Sequence, residues 1–411
     1  MRQYARLFDR PGLLRAEFFS VLGRFGYVAC GLGALFLGTA RLGIGVGGLG
    51  AGALALGVAV GSPVAGRLSS RYGTSAVYAT MACVSVLGTL LAQTGAGGRS
   101  VPSFVVGCGV VGLTTPPIGA AMRALWTRSG TPDQLGATAN SLESVITELL
   151  FVVAPPVTGV LAAVHPGLAL AVADGCVVVG GVGFAGTRIV RTCLGPDAAP
   201  RRRRTARGTT LPVLWLVAIG GVTAAVTGAM DVTVVAVLTD AGDARAAGFV
   251  LLAPALASVL SGIAYGLLPA EGAAGRRFGR LLLVWTPLFA LVALPSDPWL
   301  LAGALFLAGV PLAAIGIEEF QLLSRVAGSR ARLQEVFTWA GSSANIGVAC
   351  GSALGGAVAE HAGSAVGGWI PAAAVATACA LYFAGARHFR RDLAPATESP
   401  AKSTVDTPGQ R

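Results

Sequence analysis

The stretch RIVRTCLGPDAAPRRRRTARGTT, residues 188–210, carries seven arginines and two prolines between two long apolar segments, and it divides the chain into comparable halves. Six apolar stretches precede it, near 18–38, 42–62, 75–94, 102–122, 141–164 and 167–187. Six follow, near 211–232, 247–269, 281–296, 299–321, 336–358 and 364–386. Most are close to the roughly 20 residues that a helix needs to cross a hydrocarbon core. Each is continuously apolar rather than alternating, which predicts helices and argues against a membrane β-barrel. Composition agrees: 54% hydrophobic residues, 12% charged residues and a mean hydropathy of +0.71 over 411 residues leave too little polar surface for a soluble globule.

The basic residues set the expected topology. With the N-terminus inside, the inner segments hold Arg2, Arg6, Arg10 and Arg15; Arg67 and Arg71; Arg123 and Arg128; the seven arginines of 188–210; Arg276, Arg277 and Arg280; Arg325, Arg330 and Arg332; and Arg387, Arg390, Arg391, Lys402 and Arg411. That is 26 basic residues, against Arg41, Arg99 and Arg245 in the outer gaps and Arg24 inside the first span. An odd number of spans would scramble this bias, so the positive-inside rule predicts both termini in the cytoplasm and the chain in the inner membrane. The net charge of +11 is thereby explained by topology and anionic lipid, with no nucleic acid required.

The expected organisation is an all-α multi-pass membrane protein of two six-helix bundles. These are 1–187 and 211–390, joined by the basic linker 188–210 and followed by a Pro-, Ser- and Thr-rich tail, 391–411, that reads as disordered. A weak internal repeat supports two halves, since an offset of 197 residues brings Gly159 onto Gly356. The seven cysteines are scattered singly and read as small buried apolar residues. No metal-ligand cluster and no Walker A sequence occurs, so neither a cofactor nor ATP is expected, and the chain is not read as an enzyme. Gly43-Ile44-Gly45-Val46-Gly47-Gly48 fits G-x-G-x-x-G, yet it opens an apolar span with no strand before it, so it reads as close helix packing.

These features resemble the major facilitator superfamily over about residues 10–390. The loop Gly66-Arg67-Leu68-Ser69-Ser70-Arg71-Tyr72-Gly73 is similar to that family's G-x-L-x-D-R-x-G signature, with Ser70 in the acidic position. The resemblance implies a turn shaped by Gly66, Arg71 and Gly73. Ala154-Pro155-Pro156-Val157-Thr158-Gly159 resembles the G-P-x-x-G-G element of drug/proton antiporters but departs at its first and last glycine, and it implies a packing role for Pro155, Pro156 and Gly159. Arg123-Ala124-Leu125-Trp126, Ser141-Leu142-Glu143-Ser144 and Glu335-Val336-Phe337-Thr338-Trp339 resemble recurrent pieces of one bacterial branch. The arginine of proton-coupled exporters is missing from the fourth span, where Thr114, Thr115, Pro116 and Pro117 stand.

A carrier of this kind needs a site near the midplane and a group that exchanges a proton, so ionisable residues within spans are the candidates. Glu148 is the first choice for the proton-carrying carboxylate. Pro155 and Gly159 share its helix face, which leaves open whether that face meets a cavity or the other bundle. Glu143 lies about 140° around the helix from it and reads as a gate or as a salt bridge to Arg123 or Arg128, with substrate contact as the alternative. Arg24 has three readings: pairing with such a glutamate, binding an anionic substrate, or snorkelling. Asp231 reads as an outer gate or a coupling acid, with simple exposure to the outer water as the alternative, and Glu318, Glu319 and Glu335 carry local structural roles. Tyr27, Asn345, Thr114 and Thr115 are expected to line the cavity. The expected function is proton-coupled export of a small amphiphilic organic compound by a monomer. Proton-coupled uptake of a metabolite, and a non-transporting sensor or scaffold, are the alternatives.

Overall fold

Continuous apolar sequence in lipid leaves the backbone only its own carbonyls to bond, and the chain answers with helices. The computed structural model describes residues 12–128, 133–195, 211–267, 274–294, 297–327 and 330–389. The expected tail 391–411, most of the linker, and Arg2, Arg6 and Arg10 lie outside them. The helices of the first half are α1 (Leu13–Leu42), α2 (Ile44–Tyr72), α3 (Thr74–Gly97), α4 (Val101–Thr114), α5 (Ile118–Arg128), α6 (Asp133–Val164), α7 (Pro166–Gly186) and the short α8 (Arg188–Cys193). The second half comprises α9 (Leu211–Asp240), α10 (Ala247–Val250), α11 (Leu252–Leu267), α12 (Ala274–Val292), α13 (Pro298–Ala327), α14 (Arg330–Ala362), α15 (Ser364–Gly367) and α16 (Trp369–Phe389).

Ten segments among the described residues are long and apolar enough to span a membrane. The other two expected spans are also helical, as α12 and α14; Arg276, Arg277 and Arg280 dilute the 19 residues of α12, and the glycines, serines and Asn345 of 341–356 lower the hydropathy of α14. The fourth expected span is not one helix. Pro116 and Pro117 lack the amide hydrogens that would bond back to Gly112 and Leu113, and Thr115, preceding a proline, is extended (φ −71°, ψ 117°). The chain breaks at 115–117 and restarts as α5, with the Tyr78 hydroxyl donating to the Pro117 carbonyl at 3.2 Å. The two prolines inside α6, by contrast, are carried within a continuous helix of 32 residues.

In the first bundle α1 packs chiefly on α7, with α2, α5 and α6 also against it; in the second, α9 packs on α14 and α16. The bundles meet along α2 and α14, and where α6 meets α10 and α11. Small residues permit the approach: a Cβ on Gly52 would lie 2.9 Å from the Ala349 carbonyl, and one on Gly48 would collide with the Ser352 carbonyl. Leu32, Leu35, Phe36 and Ala51 of the first half join an apolar cluster whose remaining members belong to the second. The glycine contacts and these four apolar side chains fall in the halves of the helices remote from the basic loops, and near the midpoint Ser342 of α14 reaches the Ala59 carbonyl of α2 at 3.5 Å.

Candidate functional site

The charged cluster of the first bundle is built by α1, α5 and α6. Arg24 is 9% exposed and donates from Nη1 to Glu143 Oε2 at 2.7 Å. Its Nη2 donates to the Glu143 carbonyl at 3.3 Å and to the Thr147 hydroxyl. Trp126 Nε1 donates to the other carboxylate oxygen, Oε1, at 2.8 Å. Glu143 is fully buried, and among the described residues its salt bridge is to Arg24; the expected partners Arg123 and Arg128 are both exposed. The reason is helical phase. Arg24 comes from the neighbouring α1 at the depth of Glu143, while Arg123 and Arg128 point away from the bundle.

Sequence reasoning missed two buried acids. Glu17 lies two turns before Arg24 on the same face of α1, is 5% exposed, and has neither carboxyl oxygen in a hydrogen bond. It faces the Glu143 carboxyl group and lies within range of Arg24. Asp174 in α7 is 2% exposed, beside Ser85 and Thr89 of α3, with its Oδ1 unpartnered. The available signal for Glu17 was its seven-residue spacing from Arg24. For Asp174 it was a lone acid eight residues into an apolar span.

Other candidates are dispersed. Glu148 is exposed, and its face of α6 is the one that, two to three turns farther on, meets the second bundle. There Gly159 abuts Gly248, and a Cβ on Gly248 would lie 2.5 Å from the Pro155 carbonyl. The Tyr27 hydroxyl donates to Asn345 Oδ1 at 3.2 Å, bridging the bundles at the middle of α1 and α14. Thr115 is buried with its hydroxyl donating to the Val111 carbonyl; Thr114, half-buried, donates likewise to Val110. Asp231 is half-buried on α9, three turns from Gly220, the point at which Glu319 of α13 touches that helix. The side chain of Glu335 is outside the described residues.

In the loop expected to resemble the family signature, Gly73 supplies a left-handed residue (φ 84°, ψ 146°) that joins α2 to α3. Arg71 is exposed with its guanidinium over the Tyr72 ring, and Gly66 has open space beside it.

A second charged cluster occupies the other bundle. Glu318 of α13, fully buried, accepts from Arg277 Nε at 2.7 Å and Nη2 at 3.2 Å, and from the Tyr265 hydroxyl at 2.5 Å. Farther out, between bundles, Glu360 of α14 accepts the Gly45 amide at 2.7 Å, so it caps the N-terminal turn of α2. The glycine run 43–48 is therefore a packing surface, as its composition predicts, and also a helix N-terminus that lends an amide to an acceptor from the other bundle.

No protein-family description and no curated protein sequence matches the chain. Solved structures do. A peptide transporter POT superimposes with a TM-score of 0.68 at 15% identity, covering 93% of this chain and 96% of that one. The nucleoside transporter NupG gives 0.67 at 12% identity, covering 90% and 99%. A bacterial homologue of the iron transporter ferroportin gives 0.64 in its inward-facing state (16% identity, 90% and 98%) and 0.59 in its outward-facing state (13%, 92% and 99%). The chain has the fold of these major facilitator transporters.

Proposed function

We propose that the chain is a secondary active transporter that exports a small amphiphilic organic compound in exchange for protons, working by alternating access. The observation that carries this reading is the one-sided seam: the bundles touch through Gly45, Gly48, Gly52 and Gly159, in the helix halves remote from the basic loops. If the basic loops are cytoplasmic, as the charge bias supports, the conformation is inward-facing, in line with the higher similarity to the inward-facing ferroportin homologue. Both termini are then cytoplasmic and the chain acts in the inner membrane as a monomer. Residues 1–187 and 211–390 are the two rocking units, and 188–210 is the link.

In this reading the Tyr27–Asn345 bond roofs a cavity open to the basic side. Glu148 stands on its wall, where it exchanges a proton with cytoplasmic water, and apolar helix faces receive the compound. Asp231 belongs to the outer gate. Arg24 has both terminal nitrogens engaged by Glu143 and Thr147, which favours holding α6 to α1 over binding an anionic substrate. In everted vesicles energised by a proton gradient, a responsive compound accumulates and an uncoupler abolishes the accumulation. Glu148→Gln abolishes that coupled flux while the protein stays folded. Accumulation confined to right-side-out vesicles would assign uptake instead.

A further inference from the structure

We propose that Glu17 is a proton-binding site, holding a proton against Glu143 in the conformation described, and that loss of this proton re-aims Arg24 and loosens its hold on α6. The inference rests on the proton-coupled reading and names a group that the reading does not use.

Charges and donors in one buried space balance only if one carboxyl group is neutral. Glu17 and Glu143 are 5% and 0% exposed, and the cation beside them is Arg24. Two ionised carboxylates with one guanidinium would leave an uncompensated negative charge, which protein interiors avoid by neutralising the group. Donor assignments say which carboxyl is neutral. Glu143 accepts from Arg24 and Trp126, one donor to each oxygen, as an ionised carboxylate does. Glu17 accepts from nothing, and its carboxyl faces Glu143. Two facing carboxyl groups attract only when a proton lies between them.

Among the described residues the neighbouring elements offer no other buried charge beside this pair. α3 contains no Asp, Glu, Lys, Arg or His, its titratable groups being Tyr78, whose hydroxyl donates to the Pro117 carbonyl, and the exposed Cys83; Arg15 on α1, Arg67 and Arg71 on α2, Arg123 and Arg128 on α5, and Arg188 and Arg191 on α8 are exposed; Asp174 lies near the middle of α7. On α6 the acids with described side chains are Glu143 itself and the exposed Glu148; Asp133 stands at the first position of that helix, nearly three turns before Glu143.

A metal ion fits this space poorly. Both Glu143 oxygens are already used, which leaves the Glu17 oxygens and the buried, unpartnered Ser20 hydroxyl, well short of the six or more oxygens that a hard cation such as calcium collects. A proton needs one acceptor.

When the proton leaves to water, Glu17 becomes a second anion within reach of Arg24. The guanidinium is then shared between Glu17 and Glu143, and the nitrogen that serves Thr147 and the Glu143 carbonyl is the one free to turn. Those bonds tie α1 to α6, the helix whose outer half meets the second bundle. Protonation is thus linked to the setting of α6.

The test compares the full-length protein with Glu17→Gln and Glu143→Gln in weakly buffered detergent. An acid or base pulse is read by a pH dye, and the carboxylic-acid carbonyl band by infrared difference spectroscopy. The expected result is that Glu17→Gln exchanges one proton fewer per chain and lacks one carboxylic-acid band. Glu143→Gln should lose the same band, because Glu17 then ionises against Arg24. Identical proton counts and identical bands in wild type and Glu17→Gln would overturn the proposal. So would a signal that follows sodium concentration rather than pH. Spectra of the folded protein supply the readout, so the result stands apart from vesicle transport: absence of any coupled flux would sink the transport reading and leave the proton count intact.

Discussion

Removing the Glu360 carboxylate should favour opening of the outer face. In the conformation described, this side chain bonds the Gly45 amide at 2.7 Å, and its charge stands at the N-terminus of α2, where backbone amides are left without partners. A hydrogen bond to a charged acceptor contributes about 1.5–3 kcal/mol. Glu360 is exposed, so water replaces part of that when the seam opens, and about 1 kcal/mol is the appropriate estimate. Since 1.4 kcal/mol is a factor of ten, Glu360→Ala should raise the ratio of outward-open to outward-closed molecules about fivefold. Because the bond is made only while the seam is closed, the sign is fixed. Hydrogen–deuterium exchange of the peptide containing residues 44–52 is a direct assay, and the facing peptide around 349–356 reports the same event from the other bundle. Both should exchange faster together in Glu360→Ala, with Glu360→Gln intermediate because it keeps the acceptor and loses the charge. Unchanged exchange in both peptides, or a change confined to the Gly45 amide, would refute the idea that this contact helps to hold the halves together.

Arg24→Met strips the cation from two buried carboxyl groups and should destabilise the protein by about 3–5 kcal/mol, seen as a lower thermal midpoint in detergent; the Arg24→Met/Glu143→Leu double variant should recover much of the loss. Glu318→Leu leaves Arg277 beside a buried apolar group and should lower the midpoint by a similar amount, without altering exchange at the α2–α14 seam. Gly248→Val drives a side chain into the Pro155 carbonyl and should disfavour the outward-closed form by about 1–3 kcal/mol, measured as faster exchange around 155–159. Gly73→Ala forces a β-carbon into the left-handed region, so a loss of about 1–2 kcal/mol is expected in the same thermal assay.

Much of the architecture is written in hydropathy and charge. The helices fall on the apolar stretches because lipid gives the backbone no other partner, and the arginines mark their ends because a charge is expelled from the hydrocarbon core. The break at 115–117 was legible in principle, since two adjacent prolines remove two successive donors, yet α6 carries the same dipeptide at 155–156 without interruption. Local sequence does not separate the two cases; the difference lies in what packs around each. The site was less legible still. Arg24 and Glu143 are 119 residues apart, and their pairing depends on the rotational phase of two helices that hydropathy leaves undefined. Glu17 sits close enough to the start of α1 to pass for an interfacial acid, and only burial by neighbouring helices gives it significance. Glu360, for the same reason, reads as an end-of-helix charge until α2 is placed against it.

The discontinuity between α4 and α5 divides the mechanical behaviour of the fourth span. A continuous helix transmits torque along its length, whereas two pieces joined by an extended threonine and two prolines behave as separate links. The lower link, α5, holds Trp126 against Glu143 and Gly119 beside Arg24, while the upper link is fixed by glycine contacts to α2 and α3. Rearrangement around the guanidinium is therefore absorbed locally by an 11-residue segment instead of prying at the outer seam. Motion can reach that seam through the unbroken rod of α6, which gives the molecule a single stiff lever and a slack one beside it.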